Sequence, residues 1–248
     1  CTRSGASCTT SSGTDPMRAG NRPTDESEGS DPRAPFCRAS VVSRLVRRLE
    51  LSPGSEVLEW GVARGTTAAT LVKLGMKVTL VEPDEEALDR VLQQTRVEVN
   101  AVKAERPPPT MAGRFALILL HARDALGDEV ASTAREFLAP EGRLAFVRPV
   151  KVLLRPPPGL VEQWERHWGH ALRTPQELLA GFPSAGYEPD FVEALGIDEM
   201  DVLYDAAPDE LAEEAALYHA GAAAISFAIA VGRRREADEK PRPSRDRG

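Results

Sequence analysis

The sequence is poor in cysteine, in aromatic residues and in long apolar runs. Of its 248 residues only three are cysteines (Cys1, Cys8 and Cys37), and their spacing fits neither a disulfide framework nor a metal site. This scarcity favours a reducing, cytoplasmic location. No apolar run approaches the roughly 18 to 20 residues that cross a bilayer, so we expect no membrane association.

Positive charge is also in deficit, because 31 Lys and Arg residues face 38 Asp and Glu residues, for a net charge of −7. An acidic chain without a long basic face does not offset phosphate repulsion, so we expect no nucleic-acid partner. What is present is an ordinary 42% of hydrophobic residues. That content and the chain length suit one sizeable α/β domain with a buried core.

Composition divides the chain into three parts. Residues 1–35 are rich in Ser, Thr, Gly, Asp, Pro and Arg, and residues 234–248 mix charge with proline. Such segments have too little apolar surface to offset the entropy lost on ordering, which predicts disordered tails. Residues 36–233 are predicted to form one folded domain.

Helical and strand-like patterns alternate through this domain. Phe115–Leu120 is a continuous apolar run, typical of a central parallel strand covered on both faces. The pattern predicts seven strands, at 56–60, 77–82, 97–104, 115–120, 143–147, 190–196 and 226–232, and a helix at 208–222. This alternation predicts a Rossmann-like α/β fold with a mainly parallel sheet and helices on both faces. Ligands of such folds bind beyond the carboxyl ends of the strands.

The clearest functional pattern follows the first strand. Gly61 and Gly65 allow the backbone to turn sharply and to approach a ligand. The helix that begins at Thr66 directs its free amides at this loop, which suits a carboxylate or a phosphate. Glu82 lies 21 positions after Gly61 and ends the next strand, where an acid can accept the hydroxyls of a ribose. Together these residues predict a site for a cofactor that carries a nucleoside.

Two cofactor classes compete for this loop. The dinucleotide pattern G-x-G-x-x-G fits poorly, because Ala63 and Thr66 occupy its second and third glycine positions. Glu59 would also sit badly beside a pyrophosphate, whereas it suits a cationic ligand such as the methionine part of S-adenosylmethionine. S-adenosylmethionine is therefore favoured, with a nicotinamide-dependent oxidoreductase as an alternative.

At these residues the sequence resembles the class I S-adenosylmethionine-dependent methyltransferases. Their first motif, (D/E)-x-G-x-G-x-G, is matched by Glu59–Gly65 with alanine at the middle glycine. "KVTLVEPDEEAL" resembles the second motif, "RFALILLHARDAL" the fourth strand, and "SFAIAVGRR" an antiparallel last strand. The resemblance covers about residues 38 to 233. It implies a cofactor site formed by Glu59, Gly61, Ala63, Gly65, Thr66, Glu82 and Pro83, with Glu82 on the ribose and Pro83 beside the adenine, and with no metal.

The resemblance implies methyl transfer to a small-molecule acceptor, because no added domain for a protein or nucleic acid is visible. The acceptor is expected between the loop after His121 and the segment 149–174. His121 is the candidate catalytic residue, as a general base or a group that orients the substrate, with a structural role as the alternative. Because Ala63 and Ala116 depart from the family pattern, a catalytically degenerate binding or regulatory module is the alternative function.

Three further side chains allow two interpretations each. Trp60 could stack on a ligand, although packing against a neighbouring helix is favoured. His167 and His170 lie three residues apart and could bind a metal from one helix face. No third ligand is evident nearby, so packing or an interface role is favoured for both.

Overall fold

The computed structural model describes residues 38–62, 66–95, 98–121, 128–153, 155–205, 212–221 and 223–235. Both predicted disordered tails lie almost wholly outside these residues, so the tail assignment stays a prediction. Ala63 and Gly65, two of the predicted cofactor residues, also lie outside them.

The described residues form eight α-helices and seven β-strands in an alternating order. The strands are β1 (Glu56–Trp60), β2 (Lys77–Glu82), β3 (Asn100–Lys103), β4 (Phe115–Leu120), β5 (Leu138–Lys151), β6 (Tyr187–Ala194) and β7 (Ile225–Arg234). The helices are α1 (Ala39–Arg48), α2 (Thr66–Lys73), α3 (Glu85–Thr95), α4 (Asp128–Phe137), α5 (Leu160–Trp168), α6 (Pro175–Gly181), α7 (Ile197–Asp205) and α8 (Ala212–Ala220).

The seven strands form one sheet in the order β3-β2-β1-β4-β5-β7-β6. The pairs among β1 to β5 are parallel, whereas β7 runs antiparallel to both β5 and β6. The order reverses at β1, between β2 and β4. Ligands of open α/β sheets bind at such a switch point. The predicted fold class, including the antiparallel last strand, is confirmed.

Three predicted elements have different bounds in the structure. β5 is much longer than the predicted strand Arg143–Val147, because its residues 143–151 all pair with β7. Its first residue pairs with β4 ahead of a register shift, so residues 138–142 also belong to the strand. β3 is shorter than predicted and mostly exposed at the sheet edge. The chain between β6 and β7 contains two helices, α7 and α8, where one helix at 208–222 was predicted.

Helices cover both faces of the sheet, as expected. One buried cluster packs α1, α2 and α3, with α5, α7 and α8, against residues such as Val57, Leu119 and Phe227. The other packs α4 and α6 against Leu120 and Phe146 on the opposite face. Strand residues alternate between the two clusters because successive side chains of a strand point to opposite faces. Among the described residues, no helix is both long enough and apolar enough to cross a membrane.

Candidate active site

Three of the predicted site residues lie at the carboxyl ends of three adjacent parallel strands. Trp60, the last residue of β1, pairs with the ends of both β2 and β4. The backbone extends these ladders by one residue on each side. The Gly61 amide donates to the Val81 carbonyl at 2.9 Å, and the His121 amide donates to the Trp60 carbonyl at 3.0 Å. Gly61, Glu82 and His121 therefore lie side by side at the carboxyl end of the sheet.

Glu59 and His121 form a buried pair at this edge. Glu59 is fully buried, and its Oε1 lies 3.0 Å from Nε2 of His121, whose side chain is only 6% exposed. Residues two positions apart along a strand point to the same face of the sheet. Glu59 therefore shares the face of Val57, and His121 shares the face of Leu119. Both side chains lie on the face covered by α2, where they meet. Within the described part of the chain, neither carboxylate oxygen of Glu59 accepts an aligned hydrogen bond. A buried carboxylate beside the loop after β1 suits a site for a cationic ligand.

Gly61 has the left-handed backbone of a sharp turn directly after β1. Its φ is +73°, a conformation that L side chains rarely adopt. A Cβ built at this position would lie 3.4 Å from the Cβ of His121. The requirement for glycine at this position therefore comes from the backbone conformation, because a Cβ would make only an ordinary contact with His121.

Glu82 connects the loop that follows β1 to the end of β2. Its Oε2 accepts a hydrogen bond from the Val62 amide at 2.9 Å, and its Oε1 accepts one from the Asp84 amide at 3.0 Å. A carboxylate has about four lone-pair positions, so each oxygen keeps one for a further donor. Pro83, next to it, is exposed. The carboxylate is half-buried, rigidly held and able to accept the hydroxyls of a sugar.

Trp60 packs inside the protein, which was the favoured interpretation. It is 9% exposed, and its Nε1 donates to the Glu105 carbonyl at 3.0 Å. Its ring meets that of Phe137 edge to face, with centroids 6.3 Å apart. The indole therefore joins β1 to the end of α4 and to the chain after β3.

The two late histidines contact different partners, so they do not form one site. His167 Nε2 lies 3.0 Å from Oε2 of Glu214, a carboxylate that is 1% exposed on α8. The Tyr204 hydroxyl donates to the same carboxylate. Burial raises the pKa of Tyr204 well above its usual value, and the Glu214 charge raises it further. In the described residues no group of three or more His, Cys, Asp or Glu side chains could hold a metal ion.

His170 instead contacts Arg148, a residue that the sequence analysis did not single out. Arg148 is 7% exposed in β5, and its Nη1 lies 3.3 Å from His170 Nε2. The available signal was a lone cation in the apolar run Leu144–Val150. Glu214 gave no such signal, because an acid in a helical sequence normally indicates a solvated face.

Comparison by sequence finds no relative: no family model matches the chain, and no curated protein matches it significantly. Solved structures match in fold. A geranyl diphosphate C-methyltransferase from Streptomyces coelicolor, solved with Mg²⁺, geranyl diphosphate and S-adenosylhomocysteine, has a TM-score of 0.60 at 16% identity, over 79% of each chain. An S-adenosylmethionine-dependent methyltransferase from Thiobacillus denitrificans, solved with S-adenosylhomocysteine, has a TM-score of 0.61 at 17% identity, over 82% of this chain and 94% of that one.

A third similar structure is a phosphoethanolamine N-methyltransferase 2 from Haemonchus contortus, solved with phosphomonomethylethanolamine and S-adenosylhomocysteine. It has a TM-score of 0.59 at 13% identity, over 79% of this chain and 53% of that one. Identities this low show a shared architecture. The strand order β3-β2-β1-β4-β5-β7-β6 and these structural matches indicate the same fold. The chain has the fold of the class I S-adenosylmethionine-dependent methyltransferases.

Proposed function

We propose that this protein is an enzyme that transfers a methyl group from S-adenosylmethionine to a small-molecule acceptor. The observation that carries the proposal is the position of Glu82. Its carboxylate ends β2, is fixed by the amides of Val62 and Asp84, and borders the loop after β1. In a doubly wound sheet an acid at this position accepts the ribose hydroxyls of a nucleoside.

The surrounding residues fit the rest of the same cofactor. The amides at the start of α2, from Thr66 onward, would bind its carboxylate, because a helix N-terminus favours negative charge. Glu59 contributes a buried negative charge below the loop, which suits a cationic sulfur and ammonium group. Pro83 would lie beside the adenine. In this proposal Ala63 and Gly65 complete the loop around the cofactor.

Bound S-adenosylmethionine would supply a methyl group on a positively charged sulfur. Transfer to an acceptor requires mainly in-line alignment of the two molecules. Binding both of them at the carboxyl ends of the strands would provide this alignment. His121 lies under this edge, and its Nε2 is directed to Glu59. We therefore assign His121 a positioning role first. In its second role, as a general base, His121 would accept a proton from the acceptor.

A small molecule is the acceptor class that the similar folds favour. Two of those proteins were solved with geranyl diphosphate and with phosphomonomethylethanolamine, respectively. In this chain the acceptor would lie between the loop after His121 and the segment 149–174. We propose no nucleic-acid partner for this acidic chain. The three cysteines without disulfide spacing favour a cytoplasmic location.

The test is calorimetric titration of the full chain with S-adenosylmethionine, S-adenosylhomocysteine and NAD. Wild type is compared with Glu82→Ala, Glu82→Gln and the control Glu86→Gln, an exposed acid in the first turn of α3. We expect saturable binding of both sulfur compounds to wild type and to Glu86→Gln. Glu82→Ala loses both ribose hydrogen bonds and should weaken binding at least tenfold, since each is worth about 1.5 kcal/mol or more with a charged acceptor. Glu82→Gln keeps one acceptor oxygen and should weaken binding less than Glu82→Ala does.

Three outcomes separate the candidate functions. Binding of S-adenosylhomocysteine that depends on Glu82 supports the proposal. Wild-type protein that binds neither sulfur compound overturns it and leaves a degenerate module with this fold. Binding of NAD alone indicates an oxidoreductase. Thermal unfolding of each variant shows whether the loop still folds when Glu82 no longer accepts from Val62 and Asp84.

A further inference from the structure

A cavity of about 520 Å³ opens between helices α5 and α8. It is lined by Gln163, Arg166 and His167 on α5 and by Glu213 and Leu217 on α8. Its volume falls within the roughly 300 to 1,000 Å³ of typical small-molecule sites. None of these five residues belongs to β1, β2 or β4, or to the loops that follow them. The cavity is therefore separate from the candidate cofactor site.

The position of α5 on the sheet supports this separation. The helix packs on β7, where the Trp168 ring meets Phe227 edge to face with centroids 5.6 Å apart. β7 is three strands away from β1, which corresponds to roughly 14 Å at the usual strand spacing. Trp164 and Trp168 face this core, whereas Arg166 is exposed on another side of the helix. The cavity thus belongs to the β7 side of the sheet rather than to the switch point at β1.

Buried contacts hold the two walls of the cavity together. Near the start of α5, a Cβ built on Gly221 would lie 2.1 Å from Cδ2 of Leu160, which shows how closely the chain after α8 approaches α5. Near the end of α5, Nε2 of His167 donates to Oε2 of Glu214 at 3.0 Å. Glu214 is 1% exposed and also accepts from the Tyr204 hydroxyl, which joins α8 to α7. The walls are therefore preformed, and a ligand does not have to assemble them.

The two walls offer different groups to a ligand. Gln163, Arg166 and His167 are three and four residues apart, so they share one side of α5. Within the described ranges, neither the Gln163 nor the Arg166 side chain forms a hydrogen bond or an ion pair. On α8, the Glu213 carboxylate is 81% exposed and lies 3.8 Å from Nδ1 of His167, beyond hydrogen-bond distance. The cavity thus has free donors on one wall, and an acid beside the apolar Leu217 on the other.

We propose that this cavity is a second ligand site, which binds a small zwitterion of the amino-acid type. The carboxylate of the ligand accepts from Arg166, whose planar fork matches its two oxygens, and from the Gln163 amide. The ammonium group pairs with Glu213, and the carbon chain between the two charges lies along Leu217. A ligand with a single charge would leave one wall without a partner. This site goes beyond the proposed methyl transfer and does not depend on it.

The test is a titration of the isotope-labelled full chain followed by amide chemical shifts, which locate binding as well as measure it. The probes are γ-aminobutyrate with both charges, acetate with only the negative charge and methylammonium with only the positive charge, at constant ionic strength. Arg166→Gln and Glu213→Gln each remove the charge from one wall. The matched controls are Arg47→Gln on α1 and Glu86→Gln on α3, which are exposed charges on other helices.

We expect γ-aminobutyrate to shift the amides of α5 and α8 and to bind wild type and both controls with equal affinity. Acetate and methylammonium should each bind at least threefold more weakly, because each pairs with only one wall. Arg166→Gln should weaken γ-aminobutyrate and acetate about threefold or more and leave methylammonium unchanged. Glu213→Gln should weaken γ-aminobutyrate and methylammonium similarly and leave acetate unchanged. These changes are modest because solvent screens exposed charges.

The inference is overturned if γ-aminobutyrate causes no saturable shift in α5 and α8 of wild type, or if Arg166→Gln and Glu213→Gln bind it as wild type does. Acetate that binds as tightly as γ-aminobutyrate overturns the zwitterion class. Displacement of the probe by S-adenosylhomocysteine overturns the assignment as a separate site. Wild type that binds γ-aminobutyrate but not S-adenosylhomocysteine supports this inference and contradicts the proposed function alone.

Discussion

Oε1 of Glu59 lies 3.0 Å from Nε2 of His121, with the carboxylate fully buried and the imidazole nearly so. Glu59 is the penultimate residue of β1, and His121 directly follows the neighbouring strand β4, 62 positions later in the sequence. The family resemblance suggests separate tasks for them, cofactor binding for Glu59 and catalysis for His121. The contact indicates that they act as one unit, so a change at either residue alters the environment of the other.

The first prediction concerns the energy that couples this pair. His121→Ala should lower the free energy of unfolding by about 3 kcal/mol, because it leaves a buried carboxylate without its close partner. Glu59→Ala should also destabilise the protein. The double variant should lose less than the sum of the two, with a coupling energy of at least about 1 kcal/mol. Urea unfolding of the four proteins at pH 7 measures this cycle.

A surface pair on the same strand supplies the control for that cycle. Glu56 pairs with Arg114 at 2.9 Å in a largely exposed position. Because exposed ion pairs are screened by solvent, the corresponding Glu56 and Arg114 cycle should show a much smaller coupling. Additive losses for Glu59 and His121 would show that the two buried groups are not coupled.

The second prediction separates backbone strain from ligand space at Gly61. Gly61 and Gly113 have nearly the same φ, +73° and +71°. A Cβ at Gly61 would lie against His121, whereas one at Gly113 would meet nothing within 4 Å. Alanine at either position should cost roughly 1 to 2 kcal/mol of stability, because both backbones are left-handed. Only Gly61→Ala should weaken S-adenosylhomocysteine binding, by about tenfold, which corresponds to 1.4 kcal/mol.

Urea unfolding and calorimetric titration of both variants give the two quantities. Equal losses of stability with a selective loss of affinity would locate the cofactor above Gly61. Full affinity in Gly61→Ala would mean that the cofactor does not pass over this residue, and would remove one support of the proposed function.

Sequence patterns predicted the parts of this protein that depend on local order. The sequence alone predicted the buried strand β4 and the acid at the end of β2, because each depends on the pattern of consecutive residues. The length of β5 was not readable, since it depends on nine pairs with β7, a strand some eighty residues away. Pairing between strands that are distant in the sequence produces no repeating residue pattern in either strand.

The side-chain contacts of the site could not be predicted from the sequence either. Glu59 and His121 were each placed at a strand end, but their contact depends on the register of β1 with β4 and on a shared face of the sheet. Arg148 and His170 meet because the chain after α5 returns along the end of β5. Neither relationship follows from residue type or spacing. Both needed the three-dimensional path of the chain.

The third prediction concerns the capping box at the start of α6. The Glu177 amide donates to Thr174 Oγ1, and Oε2 of Glu177 accepts from the Thr174 amide at 2.7 Å. The hydrogen bonds that Oε2 accepts from the amide and the hydroxyl of Thr174 lower the pKa of the Glu177 carboxyl below its usual 4.5. Thr174→Ala should cost about 1 kcal/mol of stability.

The sign of the pH dependence follows from the lowered pKa. A carboxyl with a lowered folded-state pKa stabilises the protein fully above its unfolded pKa, and this contribution is lost as pH falls through the folded pKa. Glu177→Gln should therefore be less stable than wild type at pH 7, and the difference should shrink toward pH 3. Glu162→Gln, at the uncapped start of α5, should show no such pH-dependent difference. A Glu177→Gln difference that is constant between pH 3 and pH 7 would contradict the assignment.

The fourth prediction concerns Gly232, which β7 places against a buried phenylalanine. A Cβ built on Gly232 would lie 2.3 Å from Cδ1 of Phe182, far inside contact distance. The ring of Phe182 is fully buried, and its neighbours Phe146 and Tyr187 have centroids at 5.5 Å and 6.1 Å. The ring has no open space into which it could retreat. Gly232→Ala should therefore cost about 2 to 3 kcal/mol, the typical cost of overpacking a core.

A second substitution tests whether that cost comes from the ring. Phe182→Ala removes the Cγ, Cδ1 and Cε1 atoms that collide with the new methyl group, so the double variant should be more stable than the sum of the two single losses predicts. Gly232 pairs with Leu144, away from the carboxyl end of β5, so binding of S-adenosylhomocysteine should be unaffected in Gly232→Ala. Urea unfolding and calorimetric titration measure both effects. If the two losses are additive, the destabilisation arises in the β7 backbone rather than in its contact with Phe182.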